Sequence, residues 1–243
     1  MAKLVQKSGY IKSEKAGGYM RYIATREGVE KLAGNGAVTK GQRELIQKLL
    51  TDFPDAAELF EYEDYCKTPT LGTASAFIGM ALDANIHEID SESGYMQYIA
   101  TRPRVQKHGS HGLFSSATAV DLTSAMSELE AHEGNVWTII YSLRREDAAR
   151  LEYDSADAWR TLLMENAPTL AKSMKISLDN FHWYAAFHDE GHHPHIHMMV
   201  WSDDPKEGFL TKNGIAAMRS KLTNAIFRDE MQQIYERKDV AYS

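Results

Sequence analysis

At 243 residues, with 43% hydrophobic and 25% charged residues, the chain can bury one large core, and its composition is that of an ordinary globular protein rather than a disordered or fibrous one. The net charge of −7 counts against indiscriminate binding to nucleic acid but leaves room for a local basic groove. One cysteine, Cys66, excludes an intrachain disulfide. No apolar run approaches a membrane span, and the first residues lack the apolar core of a signal peptide, so a cytoplasmic protein with no membrane insertion is expected.

Residues 2–11 alternate loosely and read as a strand, and residues 12–18 as a polar loop. Tyr19, Tyr22 and Ile23 then share a helical face that Gly28 can end, with Arg21 and Arg26 beside Tyr22. Residues 39–50 read as a helix with Leu45, Ile46, Leu49 and Leu50 as its apolar stripe. Residues 51–68 are acidic and aromatic and are expected to form a solvated helix face. Cys66 sits there among Glu63 and Asp64 and is not read as a nucleophile. Residues 70–85 form a further helix rich in alanine. The tyrosine segment then returns: Gly94-Tyr-Met-Gln-Tyr-Ile-Ala-Thr-Arg-Pro-Arg-Val105 repeats Gly18-Tyr-Met-Arg-Tyr-Ile-Ala-Thr-Arg-Glu-Gly-Val29. One repeated segment is not a solenoid. It suggests a duplicated helical element, with residues 30–93 as a helical insertion in a single domain spanning 1–243.

Residues 107–114 form a basic, glycine-bearing loop in which His108 and His111 could touch phosphate. Residues 121–133 read as an amphipathic helix and 136–143 as the strongest strand in the chain. Arg144, Arg145 and Arg150 open the next helix, residues 156–174 form another with a break expected at Pro168, and a last helix runs from 213 to about 237. Strands with helices between them in this order give an α+β fold, a central antiparallel β-sheet covered by helices.

The stretch that carries chemistry is 181–201. Apolar and aromatic flanks at 181–188 and 195–201 enclose turn residues Asp189-Glu-Gly and Pro194, which gives a β-hairpin. Five of the 10 histidines fall between His188 and His197. Strand side chains alternate, so His195 and His197 share a face with Ile196 on the other, and the turn brings His188 opposite His195. Three imidazoles converging from a rigid sheet suit a divalent metal with positions left open for substrate. His192 and His193 belong to the turn, and His182 lies too far along its strand to join. A tyrosine hydroxyl, with an ordinary pKa near ~10, becomes a useful nucleophile when its electrophile is activated and cations stabilise the phenolate. Metal and tyrosine together suit reversible phosphodiester transesterification.

These residues resemble a conjugative or mobilization relaxase of the MobP/MobL type, within the HUH endonucleases. The matching segments are Tyr22-Ile-Ala-Thr-Arg-Glu-Gly, Asn135-Val-Trp-Thr-Ile-Ile-Tyr-Ser-Leu-Arg-Arg-Glu-Asp-Ala and His188-Asp-Glu-Gly-His-His-Pro-His-Ile-His197, with tyrosine ahead of the histidines. The resemblance implies nicking and rejoining at the transfer origin of a plasmid or integrative element through a covalent 5′-phosphotyrosine, with Mn2+ or Mg2+ as the metal. It implies single-stranded transfer-origin DNA as substrate and accessory relaxosome proteins and a coupling protein as partners. Carried over by position, His188, His195 and His197 are the metal ligands. Tyr22 is the nucleophile, with Tyr98 as the alternative and Tyr19 and Tyr95 behind them. Asp189 and Glu190 act as ligand, base or support. Arg21, Arg26, Arg102, Arg104, Lys107, Arg144 and Arg145 are expected at DNA phosphates, with aromatic side chains stacking on unpaired bases. Two other readings stand beside this one. His193-Pro-His-Ile-His197 also fits a histidine-triad nucleotide hydrolase or transferase, which needs no metal, and the same site could belong to a non-catalytic metal- or DNA-binding module.

Overall fold

The structure is a computed structural model that describes residues 3–10, 35–85, 96, 99–100, 105–107, 111–132, 134–189 and 193–228. The expectations for Tyr19, Tyr22, Tyr95 and Tyr98, for Arg21, Arg26, Arg102 and Arg104, and for Glu190, His108 and His192 lie outside these residues.

Five strands form one sheet: β1 (Val5–Tyr10), β2 (Leu113–Phe114), β3 (Trp137–Ser142), β4 (Phe181–His188) and β5 (His195–Ser202). Their order is β1-β3-β5-β4-β2, and every neighbouring pair is antiparallel. Seven α-helices are described: α1 (Lys40–Asp52), α2 (Phe60–Lys67), α3 (Leu71–Asn85), α4 (Leu122–Glu130), α5 (Arg145–Arg150), α6 (Ala156–Ser173) and α7 (Lys212–Ile226). The fold is α+β, as the order of the predicted elements requires. Among the described residues no helix is long and apolar enough to cross a membrane.

The strands alternate between two covered faces. Ile139 and Tyr141 of β3, Trp183, Ala185 and Phe187 of β4, and Ile196, Met198 and Val200 of β5 point to one side. There they pack with Trp159, Leu163 and Leu170 of α6 and with Met218 and Leu222 of α7. The intervening residues point to the other side, where the cover is split. Val5 and Ile140 join Ile46, Leu49, Phe60, Phe77 and Ile78 from α1, α2 and α3. Leu113, Ala186, Met199 and Trp201 join Ala125 and Leu129 of α4 and the buried Met96, Ile99 and Ala100. The histidine face of the hairpin lies between these two apolar clusters.

Local chemistry explains where the helices start. Thr39 caps α1 by accepting from the Gln42 amide at 3.1 Å, and the Gln42 side chain returns the bond to the Thr39 amide at 3.0 Å. Asp121, Ser155 and Thr211 cap α4, α6 and α7 with the first half of this pattern, each side chain accepting from the amide three residues on. Gly208 turns the chain between β5 and α7 at φ +82°, a conformation that suits glycine, and its carbonyl accepts from the Trp137 indole at 2.6 Å.

Two expectations are corrected. Residues 51–68 are not a solvated face: Phe53, Ala56, Leu59 and Phe60 are buried. Phe53 and Leu59 flank a 3-10 turn (Pro54–Glu58) and Phe60 opens α2, and their spacing turns these side chains and Ala56 inward while Pro54, Asp55, Ala57 and Glu58 between them stay exposed. The break expected at Pro168 is absent, and α6 runs through it without interruption. Pro168 and Met164, whose carbonyl loses its helical partner, both lie on the exposed side, where water can replace the missing donor.

Candidate metal centre and active site

β5 is the middle strand and β4 its neighbour. Their register places His188 directly opposite His195 and Ala186 opposite His197. The three imidazoles therefore rise from one face of the best-supported part of the sheet. Ring centroids are 4.6 Å apart for His188 and His197, 5.0 Å for His195 and His197, and 5.2 Å for His188 and His195. One ring nitrogen from each lies within 4.8 Å of the others, and all three residues are buried.

Hydrogen bonds fix how two of the rings present themselves. His188 Nε2 lies 2.8 Å from the Ile99 carbonyl and His195 Nδ1 lies 3.2 Å from the His193 carbonyl. A carbonyl only accepts, so these nitrogens carry the protons. The lone pairs then fall on His188 Nδ1 and His195 Nε2, the neutral tautomers that a metal ligand needs. The donor set fits a divalent ion: three buried imidazoles converge from two hydrogen-bonded strands, each with one ring nitrogen close to the others.

The turn is anchored from outside the hairpin. His193 is buried, its Nε2 donates to Asp64 Oδ2 at 2.7 Å, and its ring lies 5.2 Å from that of Phe60. Arg144 extends the contact, reaching Asp64 at 3.3 Å and Glu63 at 2.9 Å with its guanidinium 4.6 Å from the Phe60 ring. Lys3 closes the chain of charges on Glu63. Burial pushes the Asp64 carboxyl up, but the bond from His193 and the charge of Arg144 outweigh it and hold the group below the usual carboxylate range. The hydrogen bond from Lys3 lowers Glu63, against burial and with further help from Arg144.

The remaining predicted residues divide. Asp189 is exposed and its carboxylate meets Arg145 at 2.6 Å, so it stands at the rim of the site instead of among the imidazoles. Arg144 and Arg145, read from sequence as phosphate contacts, are thus each in ion pairs, Arg144 with α2 and Arg145 with the end of β4. Lys107 is exposed two residues beyond Val105, which bridges to His188. His111 is a structural residue: its Nδ1 accepts from the Leu113 amide at 3.0 Å and its Nε2 donates to the Val120 carbonyl at 3.0 Å, which leaves neither nitrogen for a phosphate. His182 pairs with Trp201 at the far end of the hairpin, as its position implied, and bonds Asp203 at 2.6 Å. Sequence reasoning missed Asp64 and Glu63. They lie 129 and 81 residues from the partners they meet, and the only local hint was two acidic residues in an aromatic helix.

An antiparallel sheet that gathers three buried imidazoles on one face of two paired strands is an arrangement able to hold a divalent ion. A family model for MobL relaxases matches residues 1–242, and the chain belongs to this family. It is accordingly a DNA relaxase, a class that acts on single-stranded origin DNA and generally uses a divalent metal. Comparison with curated proteins and with solved structures gives no match.

Proposed function

We propose that the protein nicks one strand of a plasmid or integrative-element transfer origin at a specific site and later rejoins it, through a covalent 5′-phosphotyrosine. The observation that carries this reading is the convergence of His188, His195 and His197, with ligand atoms within 4.8 Å, in a chain of the relaxase family. These residues would hold the ion. Nitrogen donors suit a transition ion better than the oxygen-seeking Mg2+, which makes Mn2+ the better fit of the two. Bound there, the ion supplies positive charge to the oxygens of the scissile phosphate.

Tyr22, with Tyr98 as the alternative, is the proposed nucleophile. Its phenolic oxygen attacks phosphorus, the phosphorus–O3′ bond breaks, and the phenolic proton ends on the departing 3′ oxygen. Reversal by a 3′ hydroxyl restores the diester and frees the tyrosine. Asp189 and Glu190 directly follow ligand His188, and a carboxylate at this position would relay the proton. Arg145, fixed on Asp189, and Arg144, fixed on Glu63 and Asp64, would meet backbone phosphates near the scissile one. Lys107, Arg21, Arg26, Arg102 and Arg104 would extend that track. Residues 30–93, which include α1, α2 and α3, are the proposed insertion within a single relaxase domain. Accessory relaxosome proteins and a coupling protein would complete the assembly.

The test is chemical. Wild type, Tyr22→Phe and Tyr98→Phe are incubated with a cognate single-stranded oligonucleotide and Mn2+, and the products are run on a denaturing gel. One variant should lose the protein–DNA adduct, and chelation should abolish it in the wild type. Adduct formation by both variants removes the tyrosine assignment. Activity that survives chelation favours the histidine-triad reading.

A further inference from the structure

We infer that Asp64 is a positioning residue for the metal centre, acting from α2 through His193 to set the orientation of the ligand His195. This rests on the metal-site reading above and adds to it a residue 131 positions away in the chain.

The inference follows a short chain of contacts. His195 keeps its lone pair on Nε2 only while its Nδ1 proton has an acceptor, and that acceptor is the carbonyl of His193, 3.2 Å away. The carbonyl is a turn residue's, two positions before the strand residue it holds, and a turn carbonyl swings when its residue rotates. Two contacts restrain that rotation. The neighbouring Pro194 has a fixed φ, and its carbonyl accepts from the Leu143 amide at 3.2 Å. The His193 ring, 4% exposed, is tied through Nε2 to Asp64 at 2.7 Å and packs on Phe60. Phe60 and Asp64 are four residues apart on α2 and so lie on one face of it, with Glu63 beside them. That face meets the turn as one unit, with Arg144 fixing the other oxygen of Asp64. A helix from the first third of the chain therefore reaches the carbonyl that sets a ligand's tautomer. Removing such a support typically weakens metal binding without removing a ligand.

The proposal is tested by titrating Mn2+ into the metal-free full chain, followed by the paramagnetic resonance of the free ion, and by recording the visible spectrum with Co2+ in its place. Asp64→Ala should weaken Mn2+ binding about 10–100-fold and shift the Co2+ spectrum. Asp64→Asn, whose amide oxygen still accepts from His193, should recover part of the loss. Glu58→Gln removes an acidic charge just before α2, where its partner is Arg219, without touching His193 or Arg144, and should bind as wild type does. His193→Leu keeps the backbone carbonyl but cuts the tie to Asp64, and serves as the second route should Asp64→Ala fold poorly. It should match Asp64→Ala, and the double variant should be no worse than either alone. Wild-type affinity in Asp64→Ala, equal losses in Glu58→Gln, or additive losses in the double variant each overturn the inference. His195→Ala separates this from the parent reading. If it abolishes binding while Asp64→Ala does not, the metal centre stands and the positioning role falls. If the wild type itself binds no Mn2+, both fall.

Discussion

Metal binding should be visible as folding stability, independently of any DNA chemistry. His188 and His195 are seven residues apart in sequence and converge only because β4 and β5 pair with His188 opposite His195. The full three-nitrogen site thus belongs to the folded state, while the unfolded chain keeps at most the His195 and His197 pair. An ion that binds only the folded form at 100 times its Kd adds about 2.7 kcal/mol to the unfolding free energy. For a chain of this size each kcal/mol moves the midpoint by about 2–4 °C, so the expected rise is roughly 5–11 °C, lowered by residual binding to the unfolded pair. The assay is thermal unfolding with and without saturating Mn2+, for wild type and for His197→Gln, each compared with its own metal-free midpoint. His197 is fully buried, so the variant starts from a lower midpoint, but its metal-dependent rise should vanish. An unchanged wild-type midpoint in saturating metal would refute the reasoning, and so would an equal rise in the variant.

Other outcomes follow from single contacts. Gly214→Ala places a Cβ 2.4 Å from the Ser173 carbonyl, where α7 crosses α6, and should cost about 1–3 kcal/mol in denaturant unfolding. Burial holds His132 below its usual value of 6.5, with His182 adding to the effect and Asp203 and Glu128 opposing it. Its contribution to stability is complete above that value and is lost as the pH falls toward the lower folded pKa. His132→Gln should therefore flatten the decline in unfolding free energy from pH 7 to about pH 5. Glu63 and Asp64 are both lowered from ordinary values of 4.5 and 3.8, so the stability they contribute is present at neutral pH and lost on acidification below those values. Arg145→Gln should weaken single-stranded DNA binding and reduce the slope of log affinity against log salt by about 0.7, the amount expected for one phosphate contact.

The hairpin was legible because its information is local. Alternation fixed which histidines share a face, and the turn residues fixed which one returns opposite which, so register followed from sequence alone. The α+β class was readable for a similar reason, from strand patterns separated by helical ones. What could not be read is how distant elements meet. Phe53, Leu59 and Phe60 sit among acidic residues, and only the packing of α2 on the histidine face shows that they are core. Arg144 and Arg145 read as free cations because their carboxylates lie on α2 and at the end of the hairpin, far off in sequence. Pro168 misled because a proline's effect on a helix depends on whether the orphaned carbonyl faces water, which is a property of the fold.

Strand β5 has a hydrogen-bonded neighbour along each edge, and all eight of its residues are buried. Its amides can exchange with solvent only when the sheet itself opens, so the strand that carries two of the three clustered imidazoles should be among the slowest-exchanging of the described segments. An ion held there would have no route out through fraying of that strand. Its release would have to come from the imidazoles letting go while the strand that carries two of them stayed paired.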